Sequence, residues 1–454
     1  MESKDQQTRS LAAHLHGMDY AAFDSHTIEM AKMCIEDFIG VAIAGSAKPE
    51  SCIWKEYYSQ KVTAPQASVF EPGFESHTVE QAAALNAVFG HVMDMDDVHN
   101  ASITHLAVIT VPTAFAVGQQ LKKSGPDIIE AVTAGYEAGA RIGETINPSS
   151  YKYWHTTGAV GAFSSGTTAA KLLGLTQEQL LNCLGSAGTQ AAGLWEFLET
   201  GSMSKVLHTA NANLCGIRSA ELAKLGFTGA ASILEGERGF VKALAPEYDL
   251  GNLTRDFSLG YRINENSFKP YACCRHTHSA NYCIEQILST RVLDPEEIES
   301  ITDDTYSTAV QTTNNPYPEN PYAAKFSLQF CIAAAIVLKD LSDRTFTSQN
   351  INDPQIRQLM KKIKIHVSKE LDDEFRKDPN QWSHRLTIRM KDGETIVKQV
   401  DYPIGDFKNP FSMEMADHKF RLLTEAMIGE KKADALLEKL HHLETIQDIN
   451  ELFI

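Results

Sequence analysis

From about residue 10 to residue 265 the chain repeats one pattern: apolar positions three and four apart, broken by short Gly, Ser, Pro or Asn punctuation. Residues 27–44 carry Ile28, Ala31, Ile35, Phe38 and Ala42 at that spacing before Gly45-Ser46, which predicts a helix and its stop. Gln81 to Phe89 reads as another helix, opened by a Thr78/Gln81 capping box. Pro126 to Ile146 reads the same way and is closed by Asn147-Pro148, while Thr176 and Gln179 open a helix through Leu180, Leu181 and Leu184. Gly158 to Leu173 (GAVGAFSSGTTAAKLL) is so rich in small residues that it predicts a helix packed backbone-close inside a bundle. After about residue 266 the period changes. Residues 299–303 and 362–367 alternate as strands do, and 385–390 and 395–400 flank Lys391-Asp392-Gly393-Glu394, a hairpin with an Asp-Gly turn. Helical spacing returns at 323–341 and from Asp417 onward. The expected architecture is mainly α: a large all-α helical domain from residues 1–265 plus 403–454, with a smaller α+β lid domain inserted at 266–402.

Composition narrows the class. A chain of 454 residues exceeds one ordinary core, in keeping with two domains. No apolar stretch reaches the ~18 to 20 residues of a membrane helix, and the N-terminal MESKDQQTRSLAAHLHGMDY has no apolar signal region, so a cytoplasmic location is expected. The formal net charge of −17 argues against nucleic acid or an anionic membrane as partner. A small anionic substrate stays open, because basic groups in a pocket outweigh distant surface charge. The eight cysteines include no C-x-x-C pair, which disfavours a zinc ribbon or an iron–sulfur framework.

Four segments concentrate chemistry. Gly90 to His105 (GHVMDMDDVHNASITH) holds Asp94, Asp96, Asp97, His91, His99 and His105 directly after an apolar helical run. An acidic helix end in solvent, a divalent-metal site and a metal-free proton-transfer site all fit that cluster. His155 lies between Trp154 and Thr156-Thr157-Gly158, where an anion could meet a helix N-terminus. Lys205 and His208 share one face of a largely apolar helix, so the Lys needs a charged partner, a ligand or a stem that reaches water. Lys269, Arg275, His276 and His278 form a cationic strip at the expected domain junction, a common place for small ligands.

Together these segments resemble the MmgE/PrpD family, which includes 2-methylcitrate dehydratase, cis-aconitate decarboxylase and iminodisuccinate epimerase. The matching stretches are H-V-M-D-M-D-D from His91, W-H-T-T-G from Trp154, G-L-W-E-F-L-E-T-G-S-M-S-K-V-L-H from Gly193, I-L-E-G-E-R-G-F from Ile233 and K-P-Y-A-C-C-R-H-T-H from Lys269. The resemblance implies a helical domain built from both chain ends, a smaller α+β lid, and a homodimer needing neither metal nor organic cofactor. It implies a small di- or tricarboxylate substrate, catalytic roles for Asp94, His105, His155 and Lys205, and substrate binding by Lys269, His208, Arg275, His276 and His278. In the cis-aconitate decarboxylase branch a His stands at Cys274, a Tyr at Phe330 and a Thr at Val98, so those departures argue against decarboxylation. The leading expectation is a 2-methylcitrate dehydratase-like hydro-lyase. Lys205, Lys269 and Arg275 would grip carboxylates, Asp94 or His155 would take the α-proton, and His105 would protonate the departing hydroxyl. An epimerase ranks next and a decarboxylase third. From other classes, a metal-dependent helical hydrolase or a non-catalytic carboxylate-binding protein would fit the first cluster.

Overall fold

The computed structural model describes residues 6–453 and is mainly helical, with one four-stranded sheet. Seven helices of the N-terminal half matter for the site: α1 (Ser25–Gly45), α2 (Val79–His91), α3 (Ala107–Leu121), α4 (Gly125–Ile146), α5 (Thr156–Leu173), α6 (Gln177–Gly188) and α7 (Ser204–Lys224). Thr78 and Gln81 make the reciprocal capping box of α2, and Thr176 and Gln179 make that of α6, as the sequence predicts. Helix α5 lies at the centre, against α3, α4, α6 and α7. Its small residues let the neighbours approach. A Cβ on Gly216 of α7 would come within 2.3 Å of Ser165 Oγ, and one on Gly135 of α4 within 2.1 Å of Thr168 Oγ1. Both contacts are closer than packed atoms tolerate, so these glycines set the helix spacing.

Apart from the two-residue strands Ala67–Ser68, Ser76–His77, Val98–His99 and Asn266–Ser267, the strands fall after residue 266. β1 (Ile298–Thr305), β2 (Ile363–Val367), β3 (His384–Met390) and β4 (Thr395–Val400) form a sheet of order β2-β1-β3-β4. β1 pairs parallel with β2 and antiparallel with β3, and β3 pairs antiparallel with β4 in the predicted hairpin. Gly393 in its turn has φ +94°, a conformation that costs glycine least. The expected helix over 323–341 is two pieces, Pro321–Ala324 and α8 (Leu328–Leu338). Beyond the sheet, α9 (Met413–Ile428) packs along α1. The main apolar core is continuous and draws residues from Leu11 to Leu452.

A candidate active site around the 92–106 loop

Helix α2 ends at His91, and the chain then runs as a loop to α3. The helix does not continue past His91 to Asp94. Asp94 sits instead at φ +56°, in the left-handed region, where a short polar side chain is tolerated best. The whole loop is nonetheless inside the protein: Asp94, Asp96, Asp97, His99 and Asn100 are each at most 1% exposed. A buried loop needs partners for its carbonyls. Three lysines from distant parts of the chain supply them. Lys325 Nζ donates to Met93 O (2.6 Å), Lys269 Nζ to Asp94 O (3.0 Å) and Lys419 Nζ to Met95 O (2.8 Å). Each lysine also holds a carboxylate: Asp343, Asp94 and Asp37 respectively.

Asp94 lies between two ammonium groups. Its Oδ1 is 2.7 Å from Lys269 Nζ and 3.1 Å from Lys205 Nζ, while Oδ2 is buried without a partner. Burial alone would raise its pKa, but Lys205 and Lys269 outweigh that and hold it well below the usual carboxylate range. The placement of Asp94 between Lys205 and Lys269 suits fixing the two lysines. Lys205 is 2% exposed and 5.1 Å from the ring centroid of Phe326, so its stem does not reach water.

Three imidazoles crowd the same place. His91 and His105 are 5.0 Å apart between ring centroids, and His91 stacks on His155 at 5.6 Å. His105 Nδ1 is 2.6 Å from the Asp97 carbonyl oxygen, which can only accept, so Nδ1 carries the proton and Nε2 keeps the lone pair. Burial first, then Lys269 and Lys205, push its pKa well below the usual histidine value. His155 is pushed down likewise, by burial and then by His208. Burial and the neighbouring groups thus favour the neutral form of both imidazoles. Asp97 goes the other way: burial and Asp96 raise it to about 7, against a 2.7 Å hydrogen bond from Tyr136 Oη.

The metal reading is tested by the same hydrogen bonds. His91 Nδ1, Asp96 Oδ2 and His105 Nδ1 lie close enough together to share an ion. Yet the His105 nitrogen in that triad is the protonated one, and His91 Nδ1 is engaged with Asp96 at 2.7 Å. The donor set does not fit a cation.

Asp94, His105, Lys205, Arg275 and His276 line one small cavity, with Val98, Ile103, Tyr151, Trp195, Cys274, Phe326 and Trp382 completing its wall. Its volume is about 20 Å³, room for roughly one water molecule. His276 stacks on Trp382 at 4.2 Å, bonds Tyr306 Oη through Nδ1 (2.5 Å) and leaves Nε2 buried and unpartnered. Arg275 is anchored to Asp406 at 2.9 Å.

The remaining expected residues stand back. Lys269 reaches the cavity through Asp94, and His155 sits behind His91 and Trp195 with its Nδ1 3.2 Å from His208 Nδ1. His208 lines a separate surface groove with Trp154 and Gly193. His278, expected to bind substrate, lies outside the cavity wall. Both its nitrogens are used, by Arg275 Nη1 (3.3 Å) and the Cys273 carbonyl (3.2 Å), at the start of the helix His278–Leu288. Phe330 is also outside; it packs on Phe346, so its difference from Tyr removes no phenol from the wall. Trp382, Tyr306 and Lys419 carry no local motif and were not foreseen.

A helical body thus brings ammonium and imidazole groups together at one buried loop, and sequence comparison places that body in a known family. The MmgE/PrpD N-terminal domain matches residues 9–252 and the MmgE/PrpD C-terminal domain matches residues 271–445. The chain belongs to the MmgE/PrpD family. Among curated relatives, the cis-aconitate decarboxylase of Aspergillus terreus is 28% identical, over 94% of this chain and 91% of its own. Those of Homo sapiens and Mus musculus are 27% and 28% identical, each over 98% of this chain and over 93% and 92% of their own lengths. No helix among the described residues is long and apolar enough to cross a membrane.

Proposed function

We propose that the protein is a metal-independent lyase acting on a small tricarboxylate, with His105 as the proton-transfer base. The observation that carries this reading is the pairing of an imidazole lone pair, fixed by the Asp97 carbonyl, with the Lys205 ammonium group in one cavity wall. Lys205, and Lys269 through Asp94, set a positive field for the substrate's carboxylates, and Arg275 adds a planar donor. The incoming anions raise the imidazole pKa, so His105 becomes basic when substrate arrives. His105 Nε2 takes the proton from the carbon next to a carboxylate, and the electron pair passes into that carboxylate, stabilised by the cations. The pair then forms the new double bond as the neighbouring C–O bond breaks. The imidazolium formed at His105 then gives up that proton to the departing hydroxyl, which leaves as water.

Two specific observations favour a second reading, decarboxylation: the names of the relatives above, and the apolar side of the wall (Val98, Ile103, Phe326, Trp382), where a carboxylate would lose its water. In that case the C–CO₂ bond supplies the electron pair and an imidazolium protonates the carbon. Purified protein in D₂O with 2-methylcitrate, citrate, cis-aconitate or iminodisuccinate, followed by proton NMR, separates them. Loss of water supports the first reading and loss of carbon dioxide the second. Deuterium uptake without either points to an epimerase, and no turnover of any of them overturns the proposal. The cavity is far too small for such a substrate, so residues 266–402 are read as a lid that opens to admit it. A homodimer belongs to the same reading, with light scattering as its check.

A further inference from the structure

The cavity and an outer groove share one lining residue. Ile103 lines both the cavity and an outer groove of about 500 Å³. With Val98, Phe375 and Trp382 it belongs to a small apolar cluster distinct from the main core. Phe375 lines the groove and Trp382 the cavity, so this cluster is a plug between the two spaces. Two features mark the plug as movable. Ile103 is held at φ +50°, a conformation that a β-branched residue rarely adopts and that is kept only where the surroundings enforce it. Phe375 comes from the short helix Lys369–Lys377, which buries only Leu371 and Phe375.

A second space, of about 300 Å³, touches the cavity at Phe326. Charge distinguishes the two. The groove at Ile103 is lined by Arg255, Arg262, Arg376 and Lys377 with Glu144, Asp249 and Glu265; Arg255 is paired with Asp249, Arg262 with Glu144 and Arg376 with Asp372, whereas the only charged residue lining the space at Phe326 is Glu199. The balance of lining charge favours a polyanion at the first over the second.

We infer that the Ile103 groove is the entry vestibule for the carboxylate substrate and that Ile103 with Phe375 is its gate. This rests on the cavity being the reaction site, but access can be read without turnover. Cys274 is buried in the cavity wall and Cys52 is exposed, so Cys52 serves as an internal reference. Full-length protein is treated with the anionic thiol reagent 2-sulfonatoethyl methanethiosulfonate, and modification at each cysteine is followed by peptide mass spectrometry. Removing the plug lowers the cost of local opening, so Ile103→Gly and Phe375→Ala are each expected to speed labelling of Cys274 by about tenfold. Phe326→Ala is expected to change it by less than about twofold, and Cys52 should label at one rate throughout. If Ile103→Gly fails to fold, Phe375→Ala decides alone. Equal or greater acceleration by Phe326→Ala, or none from the plug variants, overturns the inference. Failure of every substrate assay with the expected labelling pattern would instead remove the function proposed above and leave the gate standing.

Discussion

Replacing Lys419 by Met tests whether a lysine on a C-terminal helix holds the loop that carries Asp94. Lys419 Nζ lies 2.6 Å from Asp37 Oδ1 and 2.8 Å from the Met95 carbonyl, and Lys419 and Asp37 are 8% and 6% exposed. Breaking a buried pair by removing one partner costs about 3–5 kcal/mol, because the other charge stays behind. Asp37 recovers part of this by taking up a proton, which makes about 2–4 kcal/mol the expected loss at pH 8. Burial already raises the Asp37 pKa while Lys419 opposes it, so without Lys419 it rises further. A carboxyl whose pKa is higher folded than unfolded binds its proton more tightly when folded. Its penalty therefore grows as pH rises above the ordinary carboxylate value, at about 1.4 kcal/mol per unit, and levels off above the folded pKa. Relative to wild type, the Lys419→Met deficit is expected to be smaller at pH 5.5 than at pH 8. Adding Asp37→Asn removes the stranded charge and should restore all but the roughly 0.5–1.5 kcal/mol of the lost Met95 hydrogen bond. Urea denaturation of wild type, both single variants and the double variant at the two pH values gives the comparison. A double variant as unstable as Lys419→Met, or a deficit indifferent to pH, refutes the reasoning.

His105→Asn should fold with an unchanged urea midpoint yet lose about 10²–10⁴-fold in kcat, since only the general base is removed. The acid limb of kcat/KM should fall below the ordinary histidine range, because burial and then the nearby lysines keep His105 neutral in the free enzyme. Lys205→Ala removes one of those charges, so it should shift that limb to higher pH while raising KM; a limb that stays in place would contradict the electrostatic coupling. Dialysis against a chelator, with elemental analysis of the product, is expected to leave turnover intact, and loss of activity restored by a divalent ion would return the metal reading.

How much of this was legible follows the range of each interaction. The capping boxes of α2 and α6, the stop after α1 and the 391–394 hairpin depend on residues within a few positions of one another, and they are where the pattern put them. Asp94, His105, Lys205, Arg275 and His276 could be nominated because acid, imidazole and base densities are visible locally, and family resemblance supplied their association. What sequence spacing could not supply was which groups would neutralise which. Nothing near Asp94 in sequence announces that Lys205 and Lys269, 111 and 175 positions away, both meet its Oδ1. His278 looked like a ligand until its two nitrogens were found engaged by Arg275 and a carbonyl.

The same logic explains why the 92–106 loop is buried at all. Its apolar content is modest, and no local feature of GHVMDMDDVHN satisfies three consecutive carbonyls. Those partners come from Lys325, Lys269 and Lys419, each bringing a charge that a carboxylate must answer. Two of the answering carboxylates, Asp343 and Asp37, lie outside the cavity wall, and the third is Asp94 itself. The positive field offered to a polyanion is thus tied to the same contacts that hold the loop in place. A change that loosens the loop should weaken both substrate binding and proton transfer, whereas a change confined to the apolar plug should alter access alone.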